Sequence, residues 1–135
     1  MVTPFDGVVL LVEDDDDDAL LATEALRRSG CFSQVRRVRD GWEALSAFAD
    51  RDVQLGLVIL DHNMTVMDGF EVLTALQAEG DAQGLPPVVM LTSSDDPAER
   101  ARAEAHAIVA EYVVKPLTRA GAQRLHGLVT GEAAA

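Results

Sequence analysis

Hydrophobic residues occur along the chain in short continuous runs, and four of these runs stop abruptly at a polar residue. Such a run predicts a strand buried on both faces, with the polar side chain emerging at the carboxyl end of the strand. The four runs are VVLLV (8–12) before Glu13 and Asp14, LGLVIL (55–60) before Asp61, VVML (88–91) before Thr92, and AEYVV (110–114) before Lys115. Three carboxylates, a hydroxyl and an ammonium group are therefore predicted to share one edge of a sheet.

The segments between the strands place apolar side chains at helical spacing. The predicted helices are ALLATEALRRSG before Gly30, WEALSAFAD with Trp42, Leu45 and Phe48 at its apolar positions, GFEVLTALQAEG with Phe70, Leu73 and Leu76 on one face, SSDDPAERARAEAHA, and a last helix from about Thr118 to Val129. In the fourth helix Pro97 suits the first helical position, and Ser94, Asp95 or Asp96 can cap it. A more mixed strand around 32–38 follows the first helix.

Five strands that alternate with five helices predict an α/β fold with a parallel sheet and right-handed crossovers. We expect the flavodoxin-like, doubly wound strand order 2-1-3-4-5, which places the first and third strands side by side. Asp14 would then lie next to Asp61. The 135 residues fit a single domain, with a core at about 8–129 and a short C-terminal tail, GEAAA, that has too little apolar surface to order itself.

Composition excludes several classes of function. A net charge of -12 and a pI near 4.4 argue against nucleic-acid binding, which relies on clustered Lys and Arg. Cys31 is the single cysteine, so an intramolecular disulfide and a cysteine-rich zinc site are excluded. We expect it to serve as a small apolar residue beside Gly30. No signal peptide or membrane span is apparent in the sequence, and we expect a cytoplasmic protein with no membrane partner.

Glu13, Asp14 and Asp61 are the candidate metal ligands. Mutual repulsion raises the pKa values of clustered carboxylates unless a cation is present. Mg²⁺ suits this site because it prefers oxygen ligands, keeps several waters and commonly binds one or two carboxylates beside a phosphate. We expect Asp14 and Asp61 to bind directly, Glu13 to act through water, and a backbone carbonyl near Asn63 to add a further ligand.

Other titratable residues receive structural interpretations. Asp15–Asp18 are predicted to form a solvated helix start, in which carboxylates cap free N–H groups. His62, His106 and His126 are dispersed without metal-ligand spacing, so each is expected to be a surface or partly packed residue.

Asp61 is the candidate nucleophile. A carboxylate can accept a phosphoryl group to form an acyl phosphate, and the protein contributes positioning and charge neutralisation. Lys115 would then pair with one phosphoryl oxygen and the Thr92 hydroxyl would donate to another. Asp68 and Gly69 fit a helix cap and a tight turn before the next helix.

These residues resemble the receiver domain of two-component response regulators, of the CheY-like type, over about Val8 to Val129. The matching segments are VLLVEDD, LVILDHNMTVMDGFEVL, VVMLTSS and YVVKP. The resemblance implies that Asp61 is the phosphorylation site, Glu13 and Asp14 the acidic pair, Thr92 the switch hydroxyl and Lys115 the phosphate-binding lysine. It also implies that Tyr112 is the switch aromatic and that the Lys-Pro peptide is cis.

The implied function is signalling rather than enzymatic turnover. A sensor histidine kinase would donate its phosphoryl group from phosphohistidine to Asp61, and the face of helix 4, strand 5 and helix 5 would change its downstream protein target. The opening segment and LTSSDD resemble stand-alone regulators paired with phytochrome-like kinases, and similar receivers form homodimers through that face. By the same resemblance, Asn63 and Ser94 tune hydrolysis.

Three positions depart from the family pattern. Thr65 stands where proline is common, Ile108 where glycine is frequent, and Ser93 where alanine is common. None of the three removes a group that carries the chemistry.

Two alternatives stay open on the sequence. An aspartate-nucleophile phosphatase of the haloacid dehalogenase type also uses Mg²⁺, a hydroxyl and a lysine, but it places a second Asp two residues after the nucleophile, where this chain has Asn63. A receiver fold that binds partners without phosphorylation is the other, although such chains usually lose an acid, the acceptor or the lysine.

Overall fold

The structure is a computed structural model that describes residues 4–50, 52–79 and 85–130. The predicted tail at 131–135 and most of the polar segment before the fourth strand lie outside these ranges. The elements, in chain order, are β1 (Phe5–Val12), α1 (Asp16–Ser29), β2 (Phe32–Val38), α2 (Gly41–Ala49), β3 (Leu55–Asp61), α3 (Gly69–Glu79), β4 (Val88–Thr92), α4 (Pro97–Glu104), β5 (Val109–Val114) and α5 (Arg119–Thr130).

All five strands are parallel and lie in the order β2-β1-β3-β4-β5, so the predicted flavodoxin-like α/β fold is confirmed. The register pairs Val12 with Leu60 across β1 and β3, and Asp61 with Leu91 across β3 and β4. The residues that follow β1 and β4 are therefore neighbours of Asp61. The order of the strands, which reverses between β1 and β3, is what brings the acidic residues together.

The core consists of two hydrophobic layers, one on each face of the sheet, and successive strand residues alternate between them. Val9, Leu11, Leu57 and Ile59 pack with α1 and α5. The other layer packs with α2, α3 and α4, and its strand residues are Leu10, Val12, Val38, Val58, Leu60, Val88, Met90 and Tyr112. Because both faces are covered, the central strands are apolar up to their carboxyl ends.

Aspartate caps fix the starts of α1, α2 and α4, and Asp68 caps α3 in the same way. Asp15 accepts a hydrogen bond from the N–H of Asp18 at the start of α1, and Asp40 accepts one from the N–H of Glu43 at the start of α2. Asp96 is the cap of α4, directly before Pro97. Of the three cap candidates for this helix the structure selects Asp96, and the predicted place of Pro97 is confirmed.

The buried positions of α1 and α2 are mainly small residues, and one prediction about α2 is wrong. Trp42 was assigned to the apolar face of α2, but it is 61% exposed, while Gly41, Ala44 and Ala47 are the buried positions. A side chain at Gly41 would meet Met67 and Val72, and the predicted positions Leu45 and Phe48 are partly buried against the same hydrophobic layer. The buried positions of α1 are likewise Ala19, Ala22, Ala25 and Leu26, and Leu20 and Leu21 point outward.

Two further expectations are settled by burial. Cys31 is buried beside Gly30, as predicted for a small apolar residue. His126 is buried against Phe32 with the rings at 6.0 Å, so its assignment as a surface or partly packed residue is corrected. Within the described ranges, the helices are all too short or too polar to span a bilayer.

Gly69→Ala is expected to destabilise the fold by about 1–3 kcal/mol, because a methyl group at this position would lie 2.9 Å from the Cα of His62 and 3.0 Å from the carbonyl oxygen of Asp61. Urea unfolding measures the change. Gly121→Ala in α5 is the matched control, because its methyl group would meet only side-chain atoms, those of Leu117 and Thr118, at 3.3 Å. Equal stability of the Gly69 variant and the wild type would contradict this account of the packing behind Asp61.

Candidate functional site

The carboxyl ends of β1 and β3 bring three carboxylates together, as the sequence predicted. Glu13 and Asp61 are 1% and 2% exposed, and Asp14 is partly exposed at the rim. One carboxylate oxygen from each of the three lies within 4.8 Å of the others. The cluster thus has two buried members and one that is open to solvent, a suitable arrangement for a cation that retains some of its water.

Lys115 lies in the same cluster. Its Nζ is 2.7 Å from Oε1 of Glu13, 2.8 Å from Oδ2 of Asp18 and 3.4 Å from Oδ1 of Asp61. The peptide bond from Lys115 to Pro116 is cis, as the resemblance implied, and the Lys115 N–H donates to the Thr92 carbonyl at 2.7 Å. The ammonium group is therefore held between α1 and the ends of β1 and β3.

Burial and neighbouring charges displace two pKa values. Burial, followed by the adjacent Asp61, raises the pKa of Glu13 to about 7, although the contact with Lys115 acts in the opposite direction. Burial alone would lower the pKa of Lys115, but its contacts with Asp18, Glu13 and Asp61 raise it above the usual value. Lys115 therefore keeps its positive charge, whereas Glu13 holds a proton more tightly than an ordinary glutamate.

Polar groups from the neighbouring loops surround Asp61. The N–H of Asn63 donates to Oδ1 of Asp61 at 3.2 Å, and its side-chain amide lies 3.4 Å from the Ser93 hydroxyl. Thr92 is fully buried at the end of β4, where its hydroxyl accepts from the Ser94 N–H at 3.2 Å. The residues of two successive loops thus form the outer wall of the crevice.

The loop that joins β3 to α3 is closed by its own backbone. The carbonyl of His62 accepts hydrogen bonds from the N–H groups of Met64 and Gly69, both at 3.0 Å. Asp68 and Glu71 form a reciprocal capping box, in which each side chain accepts from the N–H of the other residue. The predicted capping role of Asp68 is confirmed, and the loop containing Thr65 is bounded at both ends by hydrogen bonds.

Sequence reasoning missed the part that the acidic run plays in the site. Asp15 does cap α1, but Asp18 pairs with Lys115, so a purely solvated role is wrong for Asp18. The sequence carried a weak signal for this contact, since helical spacing places Asp18 about one turn after Asp14.

Arg37 of β2 was also missed. Its Nε donates to the Glu13 carbonyl at 2.8 Å, and its guanidinium lies 3.0 Å from Oδ1 of Asp16. Arg39 pairs with the same Asp16 oxygen at 2.9 Å. These contacts with Arg37 and then Arg39 lower the pKa of Asp16 and fasten the loop between β1 and α1 to β2. No spacing rule connects Arg37 with Glu13, because the contact depends on strand register.

Tyr112 of β5 is buried, and its hydroxyl is held by α4 and the loop before it. Its oxygen lies 2.8 Å from the Ser94 carbonyl and 2.7 Å from Oε2 of Glu99. Burial, and then the Glu99 carboxylate, raise the pKa of Tyr112 to about 12. His62 lies on the other side of Glu99, with its Nε2 3.3 Å from Oε1. Sequence reasoning did not assign a role to Glu99.

Comparison with known proteins agrees with this geometry. Residues 9–126 match the response regulator receiver domain. The chain belongs to this family. It is a two-component response regulator, a class of signalling protein whose general mechanism is phosphorylation, and receiver domains interact with histidine kinases and with downstream targets.

Two relatives share the receiver sequence but differ in how much of their length it covers. The probable methanogenesis regulatory protein FilR2 of Methanothrix harundinacea is 32% identical over 116 residues, which cover 82% of this chain and 73% of that protein. Ethylene receptor 2 of Oryza sativa subsp. japonica is 32% identical over 117 residues, but this chain spans only 15% of its length.

Solved structures show the same fold. A two-component response regulator from Cytophaga hutchinsonii superposes with a TM-score of 0.86 at 29% identity, over 96% of this chain and 100% of that one. The bacteriophytochrome response regulator AtBRR superposes with a TM-score of 0.75 at 31% identity, over 95% of this chain and 94% of that one.

The acidic cluster fits a divalent cation. Glu13, Asp18 and Asp61 contact the ammonium group of Lys115, and Asp14 adds a fourth carboxylate to the cluster, so the single positive charge of Lys115 does not balance their negative charge. All the side-chain donors in the cluster are oxygens, the type that Mg²⁺ prefers. A cation there would relieve the repulsion that, together with burial, raises the pKa of Glu13.

Glu13→Gln is expected to remove a pH dependence of stability between its ordinary pKa of 4.5 and the folded value of about 7. The folded protein binds the Glu13 proton more tightly than the unfolded chain does. The stabilisation of the folded state by proton binding to Glu13 is therefore fully present below pH 4.5. It is lost as the pH rises through 7, by about 1.4 kcal/mol for each unit by which the two pKa values differ.

Urea unfolding of wild type and variant in EDTA across this range measures the difference. Asp6→Asn, at an exposed position near the amino end of β1, is the control for loss of one negative charge. If the free energy of unfolding changes with pH in the same way for the wild type and Glu13→Gln, Glu13 has an ordinary pKa. Mg²⁺ added at high pH should stabilise the wild type more than Glu13→Gln.

Proposed function

We propose that Asp61 accepts a phosphoryl group from the phosphohistidine of a sensor histidine kinase, and that the chain thereby switches its partner-binding surface. The observation that carries this proposal is the position of the Asp61 carboxylate, buried at the end of β3 beside both an acidic cluster and Lys115. In the transfer, the bond from phosphorus to the imidazole nitrogen breaks and a bond to a carboxylate oxygen of Asp61 forms.

Each residue of the site has a separate part in this proposal. Lys115 neutralises charge on the phosphoryl oxygens, and the Thr92 hydroxyl donates a hydrogen bond to one of them. The backbone N–H of Asn63, which lies 3.2 Å from Asp61 Oδ1, orients the acceptor. Hydrolysis would be tuned from the positions of Asn63 and Ser94, which border the crevice.

Mg²⁺ is the proposed cofactor, with Glu13, Asp14, Asp61 and the backbone carbonyl of Asn63 as the residues that would hold it. When bound, the ion supplies positive charge that offsets the negative charge of the carboxylates and of the incoming phosphoryl group. Glu13 has the further part of setting the charge of the cluster, since its raised pKa makes its ionisation responsive to a cation.

Phosphorylation is proposed to act on the face formed by α4, β5 and α5. Thr92 would move toward the phosphoryl group, and Tyr112 would settle into the space that Thr92 leaves. This is supported by the burial of both side chains on the neighbouring strands β4 and β5. The face offers a cavity of about 490 Å³ lined in part by Tyr112, Pro116 and Arg124.

We infer a signalling role without multiple turnover of substrates. Asn63 stands where a haloacid dehalogenase-type phosphatase needs its acid–base aspartate, and its amide cannot exchange a proton in that way. A receiver fold without phosphorylation is the less favoured alternative, because both acids, the acceptor, the hydroxyl and the lysine are all retained.

The proposed partners are a phytochrome-like histidine kinase, a downstream protein and, as a homodimer through the face of α4, β5 and α5, a second copy of the chain. The kinase class is supported by the likeness to bacteriophytochrome response regulators such as AtBRR. We treat residues 1–135 as one receiver domain with its core at about 8–129. A cytoplasmic location belongs to the same proposal, because histidine kinases obtain their phosphoryl group from ATP.

Incubation with acetyl phosphate and Mg²⁺ is expected to add one phosphoryl group to the chain, detected by intact-protein mass spectrometry. Asp61→Asn should abolish the adduct because an amide is not a nucleophile of this kind. Asp50→Asn, at the opposite end of the sheet, is the matched control and should label normally. Labelling of Asp61→Asn at the wild-type level, or sustained release of phosphate from small phosphate esters, would overturn the assignment.

Among purified histidine kinases of different sensor classes, a phytochrome-like kinase is expected to label the chain fastest, measured by phosphotransfer from the radiolabelled kinase. Rapid transfer only from kinases of another class would refute the phytochrome link while leaving Asp61 as the acceptor. Sedimentation velocity before and after labelling tests the dimer. A monomer under both conditions would exclude the second copy as a partner.

A further inference from the structure

Glu99 connects two parts of the molecule that the proposed reaction involves. It lies in the first turn of α4, and its side chain is only 13% exposed. One carboxylate oxygen is 2.7 Å from the Tyr112 hydroxyl, and the other is 3.3 Å from Nε2 of His62. A carboxylate this well enclosed is positioned by its contacts rather than free to move in solvent.

Tyr112 is held in its buried position by several protein groups. Besides Glu99, the Ser94 carbonyl lies 2.8 Å from the hydroxyl, and the Arg100 guanidinium covers the ring at 4.7 Å from its centre. Arg100 is the neighbour of Glu99 on α4, so one turn of this helix contacts both the ring and the hydroxyl. The buried position of Tyr112 is therefore defined by α4 and the loop before it.

His62 fixes the other end of the connection. It follows Asp61 directly, its carbonyl accepts hydrogen bonds from Met64 and Gly69, and its ring packs on Phe70 at 4.4 Å between ring centres. Because its backbone and its ring are both held, His62 cannot shift without moving the loop that carries Asn63. Glu99 therefore contacts a residue whose position reports the state of this loop.

We propose that Glu99 is a positioning residue, which holds Tyr112 in its buried position and couples it through His62 to the loop after Asp61. The coupling to phosphorylation rests on the function proposed above, whereas the hold on Tyr112 does not. If a phosphoryl group on Asp61 favours buried Tyr112, then contacts that already bury Tyr112 favour binding at Asp61 by the same factor. Glu99 thereby prepares the site for its ligand.

The hold on Tyr112 can be measured directly because Tyr112 is the single tyrosine of the chain. Protein labelled with 3-fluorotyrosine should give one fluorine resonance, displaced from that of the unfolded chain. Glu99→Ala is expected to move it toward the unfolded position, whereas Glu99→Gln should keep most of the displacement, since an amide oxygen still accepts from the hydroxyl. Glu24→Gln on α1 is the control for one lost charge.

The proposal that Glu99 holds Tyr112 is overturned if the fluorine resonance of the Glu99→Ala variant stays at the wild-type position. Thermal unfolding of each variant establishes that it is folded, and alanine suits a helical position. Failure of Glu99→Gln to rescue the resonance of the alanine variant would also overturn the proposal, because the contact would then not depend on an acceptor at this place.

Beryllofluoride, a stable mimic of the acyl phosphate, tests the coupling in the presence of Mg²⁺. Glu99→Ala is expected to raise the concentration for half-saturation on the order of threefold or more, read from the fluorine resonances of bound beryllofluoride. His62→Ala should also weaken the binding of beryllofluoride. The double variant should bind no more weakly than whichever single variant has the lower affinity. Strictly additive losses would overturn the link through His62.

The fluorotyrosine and beryllofluoride measurements distinguish a failure of the proposed function from a failure of the role of Glu99. If beryllofluoride and acetyl phosphate fail to bind or label the wild type while Glu99→Ala still releases Tyr112, the proposed function falls and the hold of Glu99 stands. If the wild type binds beryllofluoride and Glu99→Ala binds it equally well, the coupling falls and Asp61 remains the acceptor.

Discussion

Electrostatic repulsion among carboxylates at the carboxyl edge of the sheet is the constraint on which the site depends. The strand order brings Glu13, Asp14 and Asp61 within ligand distance of one another, and the apolar layers beneath them keep water away from two of the three. One lysine cannot offset this charge, although it contacts Glu13, Asp18 and Asp61 together. The protein tolerates the excess by burying a glutamate with a raised pKa and by retaining a place where a cation can bind.

The sequence predicted the fold and the central residues of the site because both follow from local pattern. Apolar runs that end at Glu13, Asp61, Thr92 and Lys115 indicate buried strands, and the alternation with helices leaves few topologies for a parallel sheet. The juxtaposition of Asp61 with the residues after β1 and β4 then follows from strand order alone. Neither step requires knowledge of side-chain conformation.

Contacts that depend on side-chain conformation were not predictable in this way. The sequence does not distinguish Asp18 from a solvated residue at a helix start, because its contact with Lys115 depends on the conformation of the lysine side chain. Arg37 contacts the Glu13 carbonyl only because of the register between β1 and β2. Glu99 joins His62 to Tyr112 across three elements that are distant in sequence. The exposed position of Trp42 was not predicted for a related reason, since spacing alone does not reveal that the fully buried positions of α2 are Gly41, Ala44 and Ala47.

The rows of alanine on α1 and α2 have a consequence for how this protein can diversify. Small inner residues hold the helices against the sheet, so the large outward side chains Leu20, Leu21 and Trp42 add little to the interior packing. Exchanges at these three outward positions should leave the architecture intact. Natural variation or laboratory redesign can therefore change the outer surface of these helices without having to rebuild the molecule underneath.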